Sequence, residues 1–259
     1  HSRCQPGEII LKQYERRASY VAIAVFFAIF VPITAFFEYA TLNWRYSPWI
    51  TGMTWSVGIS AILTCFVLRR PLSSLGWGWG QSKYQIAAFL IPIGYSLASV
   101  TIVWITGLGE YKAAYVSEYI SENAGITTAT GILAPLVLVS AVFIRSMGAA
   151  TANALGEEIG WRGFLAPELG RISPFLATCV VTGLIWGFWH FPLIYSGGYD
   201  PANGLGWLTG VKFLLATILI SIPMTYLRLR SGSLWTAAIF HASHNLFMND
   251  IFKPMIEGD

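Results

Sequence analysis

Gly156-Glu157-Glu158-Ile159-Gly160-Trp161-Arg162-Gly163-Phe164 places two adjacent carboxylates in a chain that otherwise keeps charge out of its long apolar runs. Read as a helix, Glu158 and Arg162 are four apart and stack on one face as an acid-to-base pair. Glu157 points about 100° away, toward whatever packs beside it. One carboxylate is neutralised, and the other is not committed to that pair. An acid so placed in a low-dielectric site suits a general base. The plainer reading makes both acids solvated partners of Arg162 and Arg171 at a helix end in the headgroup region.

Composition sets the surroundings of this stretch. Of 259 residues, 55% are hydrophobic and 11% charged, with a mean hydropathy of +0.57, against roughly 25% charged in a soluble domain. The reading is an all-α, polytopic transmembrane helical bundle forming one domain over residues 1–259, with a basic amphipathic lead-in at 1–18. The net charge of +3 comes mostly from loop Lys and Arg, so it speaks to orientation and not to nucleic acid, for which no motif is present. Cys4, Cys65 and Cys179 lie far apart without metal-type spacing, the last two within apolar runs as small core residues.

Seven spans are expected. The first is about Ser19 to Ala40, retained as a helix because no small-residue cleavage site follows it. The second runs from Pro48 to Leu68 and ends at Arg69-Arg70-Pro71. Leu72 to Trp79 is too short and Gly-rich to span, and its tryptophans suit the membrane surface. Tyr84 to Gly107 is the third span, followed by an acid-leaning loop with Glu110, Glu118 and Glu122. From Thr130 an apolar run passes Arg145 and the glutamates to Ala166, about 37 residues or about 55 Å as one helix. That exceeds a hydrocarbon core of roughly 30 Å, so the run is expected to break or protrude, with Gly148, Gly156 and Pro167 as candidate sites. Arg171-Ile172-Ser173-Pro174 reads as a turn into a span from Phe175 to Tyr195, and spans over Trp207 to Leu227 and Ser233 to Ile251 follow. Arg16-Arg17, Arg69-Arg70 and Arg228-x-Arg230 fall on one side and the acidic loop on the other, so the N-terminus is expected in the cytoplasm of a multi-pass cell-membrane protein. The chain begins with His1 and stops soon after the last motif, so both ends are expected to be trimmed, with an eighth helix beyond.

Two later segments match the glutamates in kind. Trp186-Gly-Phe-Trp-His190 and His241-Ala-Ser-His-Asn245 put three of the four histidines into apolar segments, where ionisable groups are functional candidates by default. Glu157 and His190 stand equally far from the Ser173-Pro174 turn, so in an antiparallel hairpin they meet at one depth, unless Pro167 shortens the first arm. Glu157-Glu158-x-x-x-Arg162, aromatic-x-x-x-His at 186 to 190, and His241-x-x-x-Asn245 together resemble the three ordered motifs of the CPBP (Abi) family of intramembrane glutamic proteases, bacterial branch, which includes the CAAX prenyl endopeptidases. The resemblance covers roughly residues 70–250, with Trp186 where the pattern most often has Phe.

The resemblance implies an endopeptidase in which Glu157 is the general base and His190 helps to hold and polarise the water. His241 and Asn245, four apart on one face, then serve as oxyanion donors, with Glu158, Arg162 and Trp186 in support and no cofactor or metal. It implies a peptide or protein C-terminus as substrate, prenylated in the family's best-known case, and membrane lipid as surroundings. His244 borders the same face and is read as packing or hydrogen bonding; Trp186, Trp189 and Phe191 are read as cavity walls or interfacial anchors. Two rival readings stand beside this one. Glu157, His190 and His241 form a conceivable zinc set, against which no His-Glu-x-x-His helix is present. The same polar groups also suit a non-catalytic transport or immunity protein, although no internal repeat supports a transporter.

Overall fold

The computed structural model describes residues 6–44, 47–112, 115, 118, 133–196 and 207–257. Arg3, Cys4, Arg45, Glu122 and residues 197–206 lie outside these, as do the side chains of Lys12 and Arg145. The all-α expectation holds. The helices are α1 (Pro6–Trp44), α2 (Ser47–Val67), α3 (Ser82–Thr106), α4 (Leu133–Glu158), α5 (Ala166–Ile172), α6 (Phe175–Trp189), α7 (Phe191–Tyr195), α8 (Trp207–Ser231) and α9 (Leu234–His244). Among the described residues, five segments are long and apolar enough to cross a membrane: Gln13–Trp44, Pro48–Val67, Ser82–Thr106, Phe175–Tyr195 and Trp207–Ser231. The chain is a membrane protein. The other two expected spans are helical as well, and they are the ones that carry Glu157 and His241.

The helix runs on through Gly148 and Gly156 without ending there. Instead α4 passes into a π-helical stretch, Ile159–Leu165, and then into α5, with Pro167 in its first turn, where the missing N–H is tolerated. A second π stretch, Asn245–Phe252, continues α9. Stretches bonded i→i+5 are rare and are frequently found at functional sites. Both begin at or next to a motif residue.

Two compact units make up the chain, His1–Gly80 with Leu155–Ala237 and Gln81–Ala154 with Ala238–Asp259. In the first, α1 pairs with α2, α6 with α8, and α2 with the π stretch that follows Glu158. Lipid tails are as apolar as leucine, so helices in a membrane hold together by close van der Waals approach and not by burial from water. Glycines make that approach here. A Cβ on Gly160 would lie 2.5 Å from Val57 Cγ1 and 2.6 Å from the Val57 carbonyl oxygen, and one on Gly156 would lie 2.9 Å from the Trp55 ring. Gly156 is therefore a packing seam and not a hinge. Gly183 plays the same part between α6 and α8, where a Cβ would sit 2.5 Å from Ile218 Cα. Rings fill the rest, with Phe26 stacked on Phe164 at 5.2 Å and Phe30 edge-on to Trp161 at 5.4 Å.

Leu72 to Trp79 is mostly exposed and is tied to the helices through Leu75, Gly76 and Trp77. Its 3-10 turn Leu72–Leu75 buries Leu75, and Gly76 takes a left-handed φ of 88° that lets its carbonyl accept from Leu234 N at 2.7 Å. Arg228 donates to Leu75 O at 3.2 Å and Trp235 Nε1 to Trp77 O at 2.9 Å, while Leu72, Ser73, Ser74 and both tryptophans remain exposed. In the second unit α3 packs on the second π stretch, with Leu138, Leu246, Phe247 and Ile251 as core and Phe89 edge-on to Phe247 at 5.8 Å. A two-residue ribbon, β1 (Glu110–Tyr111) against β2 (Ile256–Glu257), closes its end.

Candidate active site

The two glutamates separate as their helical angles predict. Glu158 is fully buried and takes both contacts from Arg162 Nη1, at 2.9 and 3.2 Å, while Arg162 Nη2 donates to Ser221 Oγ at 2.8 Å. The plainer reading, solvated pairs at a helix end, is excluded for Glu158 by this burial, since both side chains are 0% exposed. Arg171 pairs with Glu168 and not with either motif glutamate. Arg228 Nε donates to the Arg162 carbonyl at 2.9 Å, which pins the π turn from α8. The residue five on from Arg162 is Pro167, which has no N–H to give this carbonyl, and the guanidinium supplies a donor instead.

Glu157 is buried, 6% exposed, and Trp186 donates its indole N–H to Glu157 Oε2 at 2.8 Å. The same indole lies under the Arg162 guanidinium, 4.6 Å from its centre. Trp186 thus touches both members of the acidic motif by different means, one through its ring edge and one through its face. Whatever wall it forms, its N–H is directed at the carboxylate. Phenylalanine could supply the face contact but not the donor.

His190 follows Trp186, the residue that reaches Glu157, by four positions on the same arm of the hairpin. His190 is 6% exposed and lies between the Trp189 and Phe213 rings, at 4.7 and 4.9 Å. Its Nδ1 is 2.9 Å from the Trp186 carbonyl oxygen. A carbonyl can only accept, so Nδ1 carries the hydrogen and donates it. Trp189 is anchored by donating to Thr34 Oγ1 at 2.7 Å.

His241 and Asn245 belong to the second unit, His241 buried at 5% exposure and Asn245 opening the π stretch. The Asn245 side-chain oxygen accepts from Asn249 Nδ2 at 3.3 Å, which turns the Asn245 amide so that its own NH2 is directed away from Asn249. His244 finds a partner that sequence reading missed, Tyr95, whose hydroxyl lies 2.6 Å from His244 Nδ1. Ser243 donates to the Phe89 carbonyl at 2.8 Å, so α3 holds both flanks of the motif helix. Among the described residues no three His, Cys, Asp or Glu side chains are grouped as ligands for a metal ion.

A helical protein with five membrane-spanning candidates, whose first unit buries a Glu-Glu-x-x-x-Arg motif on a π turn beside a tryptophan, is defined first as a membrane protein with buried ionisable groups. Residues 128–247, which contain all three motifs, match the family described as Type II CAAX prenyl endopeptidase Rce1-like. It is 38% identical over 95 residues to the CAAX prenyl protease 2 of the archaeon Methanococcus maripaludis, an alignment covering 35% of this chain and 34% of that protein. The aligned part thus spans about a third of this curated relative. No solved structure matches the chain.

Proposed function

We propose that this protein is an intramembrane glutamic endopeptidase. What carries the reading is the different treatment of neighbouring carboxylates, Glu158 neutralised by Arg162 and Glu157 held by a neutral indole. A base must be able to take a proton, and a carboxylate locked to a guanidinium cannot readily do so, whereas one that accepts from an indole keeps its charge for the task. Glu157, with His190 orienting the water through Nε2, removes a proton as the water oxygen bonds to the substrate carbonyl carbon. The carbonyl oxygen becomes an anion stabilised by N–H groups of His241 and Asn245. The C–N bond then breaks, and the proton held by Glu157 passes to the leaving amine. The relative's printed name makes a prenylated CAAX C-terminus the substrate class to test first, and the distribution of Lys and Arg supports a cytoplasmic N-terminus in a cell membrane.

Glu157→Gln is isosteric and should lower kcat by about a hundredfold to ten-thousandfold, the typical worth of a general base, with the melting temperature unchanged. The assay is mass spectrometry of farnesylated and unmodified C-terminal peptides incubated with purified protein. Activity should also survive exhaustive chelation. Stoichiometric zinc whose removal abolishes cleavage, and whose return restores it, would overturn the glutamic reading in favour of a metalloprotease.

A further inference from the structure

The apolar part of α1 opens after Arg16-Arg17, and that of α2 closes at Val67, just before Arg69-Arg70. Because α1 and α2 are paired in one unit, these basic ends come to one level, the level at which apolar side chains give way to charge. A cavity of about 390 Å³ lies there, lined by Tyr14, Arg17, Ala18, Val21, Leu68 and Arg70. It contains two guanidiniums and no acid. A neighbouring cavity of about 340 Å³, which Arg70 also lines, holds Glu15 and Glu168. Arg70 separates the two, tied to Glu168 Oε1 at 2.8 Å and to the Ala18 carbonyl oxygen at 3.4 Å, so two of its five N–H donors are engaged and its plane is fixed.

The backbone at this point is also unusual. Arg69 has a φ of 53°, the left-handed conformation that normally selects glycine after a helix, and Arg70 N returns to Cys65 O at 2.8 Å to close the motif. Strain of this kind persists where the surroundings determine it and is common at ligand clamps. Here it turns Arg70 inward toward Glu168 and the cavity. Arg17 is exposed and forms no ion pair among the described residues. Val21 is 49% exposed and Tyr14 72% exposed, so the wall leading from the two cations toward the apolar level is itself apolar and open.

We propose that this cavity is a binding site for an anionic glycerophospholipid, its phosphate bridging Arg17 and Arg70 and its first acyl methylenes lying on Val21 and Leu68. Guanidinium forks fit phosphate oxygens by paired charge-assisted hydrogen bonds. Free phosphate shares the headgroup chemistry, but it has no use for the apolar wall. The site does not involve Glu157, His190, His241 or Asn245, so it stands or falls independently of the proposed protease activity.

The test is native mass spectrometry of the purified full chain in detergent, titrated with phosphatidylglycerol, with phosphatidylcholine of the same chains, and with inorganic phosphate as competitor. Phosphatidylglycerol should bind at least about tenfold more tightly than phosphatidylcholine, and Arg17→Gln should weaken it by about tenfold or more, the worth of one charge-assisted contact. Arg17→Lys should retain most of the binding, and equimolar inorganic phosphate should not displace the lipid. Arg17 is chosen because its loss breaks no ion pair among the described residues, so the variant's melting temperature without lipid should match the parent's. Equal affinity for the two lipids, or undiminished binding in Arg17→Gln, overturns the proposal. Displacement by equimolar inorganic phosphate overturns the lipid assignment, leaving a simple anion site.

Discussion

Two carboxylate–arginine clusters lie along the same run of helix and differ in almost nothing but their surroundings. In one, Glu158 and Arg162 are both sealed from solvent. In the other, Glu168 is buried, but its partners Arg70 and Arg171 are 26% and 51% exposed. The chemistry is the same, and the local spacing is i,i+4 in one case and i,i+3 in the other. What differs is the cost of leaving a charge alone. A sealed ion pair is weak evidence of stabilisation, yet removing one member strands the other in a low-dielectric interior. An exposed partner is replaced by water and screened by salt. The buried cluster is therefore a structural commitment beneath Glu157, and the outer one a surface contact.

Arg162→Ala breaks the commitment most directly. It strands Glu158, removes the donor to Ser221 and uncovers the Trp186 face. The expected loss is about 3 to 5 kcal/mol, read from unfolding of the purified protein in detergent. A loss below about 1 kcal/mol would mean that the pair is hydrated in the membrane and that the contrast between the clusters is false.

Trp186→Phe separates the indole's two contacts. The ring remains under Arg162 while Glu157 Oε2 loses its donor. Removing a hydrogen bond to a charged group typically costs about 1.5 to 3 kcal/mol. If Trp186 positions Glu157, kcat should fall while KM for a cleaved peptide stays near the parent value, and Trp186→Ala should be worse in stability as well. If it is only a wall, Trp186→Phe should be silent in both.

Gly160→Ala probes the seam that holds the motif helix against α2. A new Cβ would meet the Val57 backbone as well as its side chain, and backbone cannot step aside. Overpacking of this sort costs about 1 to 3 kcal/mol. Gly148→Ala, on the same helix with nothing within 4 Å of its Cβ, is the control and should be neutral or slightly stabilising.

These sites also mark where the sequence was and was not informative. Span positions were legible because bilayer thickness fixes the length of an apolar run, and α2, α3 and α8 begin within two residues of their expected starts. The Glu158–Arg162 pair was legible because it is local. The π stretches were not, because an i→i+5 turn inside a helix leaves no periodic signal of its own. Neither was the Trp186 bond to Glu157, since 29 residues separate them and an aromatic in an apolar helix reads as packing. Tyr95 stands 149 residues from His244, and only the fold brings them together. Gly156 looked like a hinge because glycine weakens isolated helices, whereas here its small size is what the neighbouring Trp55 requires.

The smallest effect is expected at Arg171, and it is the one that decides whether the comparison holds. Arg171 donates to Glu168 Oε1 from the next turn of the helix, but its side chain is half exposed and Arg70 contacts the same oxygen at 2.8 Å. Arg171→Ala therefore leaves Glu168 paired with Arg70, and water enters where the guanidinium was. The loss should be at most about 1 kcal/mol and should shrink further when salt is raised, because a pair this exposed is screened. Arg162→Ala should show no such salt dependence, its partner being out of reach of counterions. Should Arg171→Ala instead cost as much as Arg162→Ala, at both low and high salt, burial would not be what distinguishes the two clusters, and the outer carboxylate would have to be treated as part of the same interior network.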